Sequence, residues 1–414
     1  MSNSGKNFKR TKNACYFSFI AGSSAFSLPP ILFLTFRHLY GISYTLLGTL
    51  VLVNFCTQFI VDLILTFYSN RFNIRKTVCS MPLLTTTGLS IYALVPTFFP
   101  QNAYFGLLVG TIVFSIGSGL GEVLLSPLIA AIPSETPDRD MSLVHSLYAY
   151  GVVTVVIIST IFLKIFGEQY WMILTLFWAT LPIISCILYC ISPFPEMTLS
   201  NSGEKGKNRR GKGLILCAMC IFLGGAAENS MTNWISCYIE NALQISKVTG
   251  DIVGMASFAI LLGVGRTMYA KYGKNIIAVL LFGMVGATAC YLIAGLCPNP
   301  VISMFACIFT GLCTSMLWPG TLIMMEENIP DAGVAAYALM AAGGDFGSSI
   351  APQALGVVVD TVSASGWAAS LSSMLEISAE QIGMKAGMLS ASIFPILGVI
   401  LILYIKKYFS TKSE

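Results

Sequence analysis

The chain has 414 residues, of which 55% are apolar and only 10% charged, and its mean hydropathy is +0.77. A soluble protein carries about 25% charged residues and needs polar surface to cover its core. These figures exclude a soluble globular enzyme, a disordered chain and a nucleic-acid binder, and they call on lipid as the partner that covers the apolar surface. The net charge of +4 is too small to demand a polyanionic partner. A membrane helix takes about 20 apolar residues, so this composition allows about a dozen of them.

Lys6, Lys9, Arg10 and Lys12 precede the first apolar run, which ends near Phe36. The run is longer than the apolar region of a secretory signal and lacks a small-x-small cleavage site, so it is expected to stay as the first membrane helix. Apolar runs then fall at about 14–37, 44–69, 77–98, 103–131, 141–166, 169–192, 213–239, 248–270, 275–297, 300–325, 333–361 and 386–408, twelve in all. Most connections are short. The stretch 193–212 is rich in Gly, Lys, Arg, Asn and Ser and reads as a cytoplasmic linker between a bundle at 1–192 and a second at 213–414. The connection at 362–385 is expected to hold a short surface helix. Cys217 and Cys220 form a C-x-x-C pair, but no second pair or His cluster completes a metal site, so no cofactor or metal is expected.

Basic residues set the orientation. With the N-terminus in the cytoplasm, nineteen Lys and Arg fall on the cytoplasmic side and four on the other: Arg37, Lys164, Lys247 and Lys385. Both termini are therefore expected in the cytoplasm and the protein in the cell membrane. The halves look related. Pro127 precedes Gly151 by 24 residues, and Pro319 precedes Gly343 by 24 residues at the equivalent place. Arg71-Phe72-Asn73 likewise has a counterpart in Lys271-Tyr272-Gly273. Parallel repeats of six helices put a substrate site near the midplane between the halves.

These features resemble the major facilitator superfamily of transporters. Asn70-Arg71-Phe72-Asn73-Ile74-Arg75-Lys76 is similar to its loop motif Asp-Arg-x-Gly-Arg-Arg/Lys, with Asn in place of the Asp and of the Gly. Gly265-Arg266 with Lys271-Tyr272-Gly273-Lys274 resembles the second-half copy. Within the superfamily, the segment from Gly117 through Glu122 to Ser126-Pro127 resembles the fourth helix of the fucose-permease branch of sugar:proton symporters, where an Asn stands in place of Ser126. Gly224 to Trp234 resembles that branch's seventh helix, and Leu317-Trp318-Pro319-Gly320 and Ala342 to Gly347 are similar to its sugar-permease-like members. The resemblance implies an all-α integral membrane fold, with twelve transmembrane helices in two six-helix bundles, and secondary transport by alternating access. It also implies an acid on the first helix, where this chain has Pro30 and no Asp or Glu from 14 to 36.

Ionisable groups inside lipid need a reason. Asp62, Glu122, Glu228 and Asp345 lie well inside apolar runs, whereas Arg37, Lys164 and Arg266 lie near run ends, where they can snorkel to water. Anionic substrates, which call for buried Arg or Lys, are disfavoured on that pattern. Neutral polyols or cations remain, with a proton as coupling ion. Glu122 is the first candidate for proton coupling and a substrate contact: small residues surround it (Ser115, Ser118, Gly119, Ser126), so water can reach it. Helix packing through a neutral carboxyl is the alternative.

Glu228, Asn229, Thr232 and Asn233 form two adjacent polar rows four residues apart, followed by Trp234. Amides and an indole suit a sugar, through hydrogen bonds to hydroxyls and an apolar ring face; interhelical hydrogen bonding is the alternative. Asn54, Gln58 and Asp62 make one polar stripe. Asn54 and Gln58 are open between substrate and helix contact, and Asp62 reads as an anchor near the loop motif. Trp318, in a row with Thr310 and Thr314, stacks either on a sugar or beside a kink, and Asp345 serves either ligand contact or packing. His145 is expected in a structural or gating role. Arg71, Arg75, Arg266 and Lys271 are expected to set topology and, by the resemblance, to hold gating contacts.

No Walker, H-E-x-x-H or G-x-S-x-G pattern occurs, so no enzymatic activity is expected. The expected function is proton-coupled uptake of a neutral sugar or polyol by a transporter that suffices as a monomer. Export of drugs or metabolites is the alternative. A non-transporting nutrient sensor ranks lower, because such proteins commonly carry a long cytoplasmic tail.

Overall fold

Asparagines and serines set many of the helix starts. Asn73 accepts a hydrogen bond from the Lys76 backbone N–H, and Asn275 accepts one from Ala278. Asn299 caps the next helix with Pro300 at its first position, and Ser378 closes a reciprocal capping box with Gln381. Asn73 and Asn275 start the third and ninth spans, so the related loops of the two halves end on the same device.

The computed structural model describes residues 8–68, 72–134, 137–195, 211–329 and 334–410. Among the described residues all regular structure is helical. Contacts divide the chain into two units, Met1–Tyr40 with Thr57–Asn201, and Gly41–Cys56 with Ser202–Glu414.

The first unit holds α1 (Lys9–Tyr40), the later part of α2 (Tyr44–Tyr68), α3 (Ile74–Phe98), α4 (Ala103–Ala130), α5 (Pro137–Phe166) and α6 (Trp171–Cys190). In it α3 packs on α4 and α6, and α1 packs on α5, α6 and α4. Gly88 lies on the Phe114 backbone, where any Cβ would collide, so α3 and α4 meet backbone to backbone. Trp178 donates its indole N–H to the Ser159 hydroxyl at 2.9 Å, satisfying a polar group that lipid could not.

The second unit holds α7 (Gly211–Asn241), α8 (Lys247–Thr249), a π turn at Gly250–Met255, α9 (Ala256–Tyr272) and α10 (Ile276–Leu296). It continues with α11 (Pro300–Thr314), α12 (Leu317–Asn328), α13 (Val334–Ser363), α14 (Gly366–Leu375), α15 (Ala379–Ala391) and α16 (Ile393–Ser410). Here α7 packs on α13, α12 and α16, and α10 packs on α11, α15 and α16. The internal pairings of one unit repeat in the other: first span with fifth, third with fourth and sixth.

Among the described residues ten helical stretches are long and apolar enough to cross a membrane, α13 with α14 passes the same test as a pair bent by 75°, and α5 adds the shorter apolar stretch Tyr150–Phe166. The fold is that of twelve transmembrane helices in two six-helix bundles. Large side chains such as Phe105, Phe282 and Leu296 stay exposed, as a lipid-facing surface requires. One expectation needs correction. The connection at 362–385 does contain a short helix, but its second half belongs to the last span, which starts at Ala379. The Ser378 capping box, rather than the hydropathy, sets that start. The linker at 193–212 lies mostly outside the described residues.

Candidate functional site

In the first unit, α4 carries Thr111, Ser115, Ser118 and Glu122 at helical spacing, so they share one row. Thr111 and Ser115 are buried, Ser118 is half-buried and Glu122 is exposed. The row thus opens progressively toward the carboxylate. Among the described residues no hydrogen bond or ion pair is recorded on the Glu122 side chain; the Ser126 side chain lies outside them. Gln58 is buried against Gly119, whose Cα would carry a Cβ only 3.2 Å from the Gln58 backbone. Gln58 thereby joins α2 to α4, and the half-buried Asn54 and Asp62 extend its stripe along α2.

In the second unit the polar residues of α7 hold one another. Asn229 donates to the Ser348 hydroxyl at 2.8 Å and to the Gly225 carbonyl at 3.3 Å, and Ser348 in turn donates to the Gly344 carbonyl at 2.9 Å. Asn233 donates to the Asn229 carbonyl at 2.9 Å. These bonds bridge α7 and α13 at a seam of small residues. Asn229 is half-buried and Asn233 is buried. Asp345 is buried in α13 beside the same seam.

Trp234 is fully buried, donates its indole N–H to the Pro352 carbonyl at 3.1 Å and lies 5.8 Å from the Tyr44 ring. Its polar edge and its ring faces are taken up by the protein, so its place here is in packing rather than in a sugar contact. The half-buried Trp318 lies over Gly344, where any Cβ would strike the indole. A glycine is required there for the ring to reach that position.

Arg266 departs from the sequence expectation. Its guanidinium turns inward from α9, donating from Nη2 to Glu228 at 3.3 Å and from Nε to the Ser315 carbonyl at 3.0 Å. It does not simply snorkel to water at a helix end. The reason is geometric: the long side chain spans from α9 to α7 and meets an acid that lipid would penalise if left alone. The Glu228 side chain is 15% exposed and that of Arg266 45%, so the pair is open on the guanidinium side.

Arg75 is exposed and sits 5.5 Å from the Phe194 ring, and Lys271 sits 5.2 Å from the ring of the adjacent Tyr272. Arg71 lies outside the described residues, as does the side chain of His145, whose backbone is in α5.

A further polar cluster escaped the sequence reading. Asp360 accepts from the backbone N–H groups of Tyr44 at 3.2 Å and Thr45 at 2.6 Å, capping the start of α2. Tyr44 donates its hydroxyl proton to Glu380, and Asn241 donates to both Tyr44 and Glu380. Asp251, in the π turn, is fully buried and accepts from the Ser236 hydroxyl. Each of these acids lies near the edge of an apolar run, where nothing in the sequence separates a loop charge from a buried one.

A family model for the Major Facilitator Superfamily matches residues 14–352. None of the curated proteins compared with the chain matches it. Among solved structures, a bacterial homolog of the human lysosomal transporter Spinster, inward-facing and occupied, is similar at 12% identity, with 97% of each chain covered and a TM-score of 0.76. A D-xylose–proton symporter is similar at 14% identity, with 93% of this chain and 96% of that one covered and a TM-score of 0.72. The fucose:proton symporter of E. coli is similar at 12% identity, covering 96% and 99%, with a TM-score of 0.60. At these identities the structural likeness carries the fold alone. With its twelve helices in two repeated bundles and a family match over most of its length, the chain belongs to the major facilitator superfamily of transporters.

Proposed function

We propose that this transporter takes up a neutral sugar or polyol together with a proton, by alternating access. The observation that carries the reading is the row on α4: three hydroxyls run from the buried interior to an exposed carboxylate at Glu122. A hydroxyl row suits a polyol, and an acid reached by water takes up and releases a proton as access changes. On this reading Glu122 is the proton carrier. Asn54, Gln58, Glu228, Asn229, Asn233, Trp318 and Asp345 are the pool of substrate contacts, with Trp234 supporting them from the core. Arg71, Arg75, Lys271 and His145 act in gating, and Arg266 acts with Glu228.

The inward-turned Arg266 changes one premise, since a guanidinium does reach an intramembrane acid. The substrate assignment stands because Glu228 already balances that charge, so the pair as a whole offers no net positive site. The names of the similar sugar:proton symporters are in keeping with this reading. On this reading, which the charge bias supports for orientation, both termini lie in the cytoplasm and the protein acts in the cell membrane, as a monomer and without enzymatic activity or cofactor.

The test is uptake into proteoliposomes with and without an inward proton gradient, against neutral sugars, a carboxylated sugar and a lipophilic cation. Gradient-driven accumulation of a neutral sugar is expected. Transport of the cation alone would overturn the substrate assignment in favour of export.

A further inference from the structure

The short helix α14 has three different faces. Taking 100° per residue, Trp367, Leu371, Met374 and Leu375 fall on one arc of about 100°. Trp367, Met374 and Leu375 are exposed there, at 61%, 79% and 53%. Ala368, fully buried, and half-buried Ser372 fall on the adjoining arc and rest on the protein. Ser373 falls on the far side and Ser370 beside the edge of the apolar arc, both exposed. They satisfy their hydroxyls locally, on the carbonyls of Gly366 and Ser370. The helix contains no charged residue.

Its setting fixes what the apolar arc meets. α13, with 30 residues, is about 45 Å long and outspans a hydrocarbon core of about 30 Å. The chain then bends by 75° into α14. A helix turned by that angle at the end of a membrane-spanning one runs nearly along the membrane plane. Ser365 caps its start, and the left-handed residue Glu376 ends it before α15 goes back across. A tryptophan and three long apolar side chains on one arc, with serines beside and across from it, are what the boundary between headgroups and acyl chains accommodates.

The geometry points to α14 as an interfacial membrane anchor: Trp367, Leu371, Met374 and Leu375 insert into the lipid boundary beside the last two spans. Because the helix is uncharged, apolar burial and not anionic-lipid attraction holds it, and its insertion is independent of lipid charge. The anchor fixes the depth of the turn between α13 and α15. It does not depend on the substrate assignment.

The experiment uses the full-length protein in phosphatidylcholine vesicles, comparing wild type with Trp367→Phe. The difference spectrum isolates Trp367 from the other four tryptophans. Vesicles brominated high on the acyl chain are expected to remove most of the Trp367 emission, vesicles brominated near the chain end less of it, and aqueous iodide little. Adding phosphatidylserine is expected to leave the pattern unchanged. Strong iodide quenching would place the arc in water, and shielding from both quenchers would place it against protein; either result overturns the proposal. Trp367→Phe is exposed and keeps an aromatic ring, and unchanged elution of the variant as a single detergent-solubilised species controls for folding.

Discussion

Glu122 and Glu228 are two acids on membrane helices, one in each unit, and their surroundings differ. Glu228 is nearly buried and paired with Arg266, which is itself tied to the Ser315 carbonyl. Glu122 is exposed at the open end of a hydroxyl row. A proton that binds Glu228 must compete with the Arg266 guanidinium for the same carboxylate. Among the described residues Glu122 has no such partner to give up. On the proposed function, proton traffic falls to the first unit and charge balance to the second.

The largest expected effect breaks the contrast at its active end. Glu122→Gln is expected to lower proton-driven accumulation by tenfold or more, on the order of 1.4 kcal/mol of driving force. Exchange of labelled for unlabelled substrate should persist. Normal accumulation by this variant would remove the coupling assignment.

Next comes packing at the seam beneath Glu228 and Asn229. Gly347 lies against the Phe222 carbonyl, where a Cβ has no room. Gly347→Val is expected to destabilise by about 1–3 kcal/mol or more, as overpacking does, and to lower the detergent melting temperature. Gly121→Ala, beside Glu122, meets nothing nearer than 3.8 Å. It should leave stability unchanged or slightly raised, since alanine favours a helix over glycine by up to about 1 kcal/mol.

The ion pair itself is a smaller term. Arg266→Gln should cost between the ~0–1 kcal/mol of an exposed pair and the ~3–5 kcal/mol of a buried one, nearer the lower end because the guanidinium is half-exposed. The double variant Glu228→Gln with Arg266→Gln should recover part of that loss, because no unpaired charge is left behind. A double variant as unstable as the sum of the two singles would show that the residues do not act as a pair.

The smallest effect sharpens the place of Trp234. Trp234→Phe removes the bond to the Pro352 carbonyl, worth about 1 kcal/mol, and should leave the substrate KM unchanged. A large rise in KM would return Trp234 to the binding site.

Much of the fold was legible because lipid simplifies the problem. A span must be apolar for about 20 residues and must satisfy its backbone internally, so hydropathy and turn residues locate the helices. The candidate site was legible in part. The rows at 228–233 follow from helical spacing alone, as does the small-residue setting of Glu122, whereas the graded burial from Thr111 to Glu122 comes from packing. The Asp360 cap on α2 and the Tyr44, Asn241 and Glu380 cluster join residues hundreds of positions apart, and no local pattern connects them. The depth of the Arg266 Cα does not give the reach of its guanidinium, which extends from α9 to Glu228 on α7.

The sequence by itself determined the membrane class, the number and limits of most spans, the duplication, and the acids that lipid makes costly. Those are properties of segments, and the bilayer acts on segments one at a time. The tertiary structure alone decided that Arg266 meets Glu228, that Trp234 is sealed while Glu122 is open, and that α14 turns by 75° off the end of α13. Those depend on which helices touch and on which sides. That is settled by packing between residues far apart in the chain, where small residues let backbones approach and long side chains reach across.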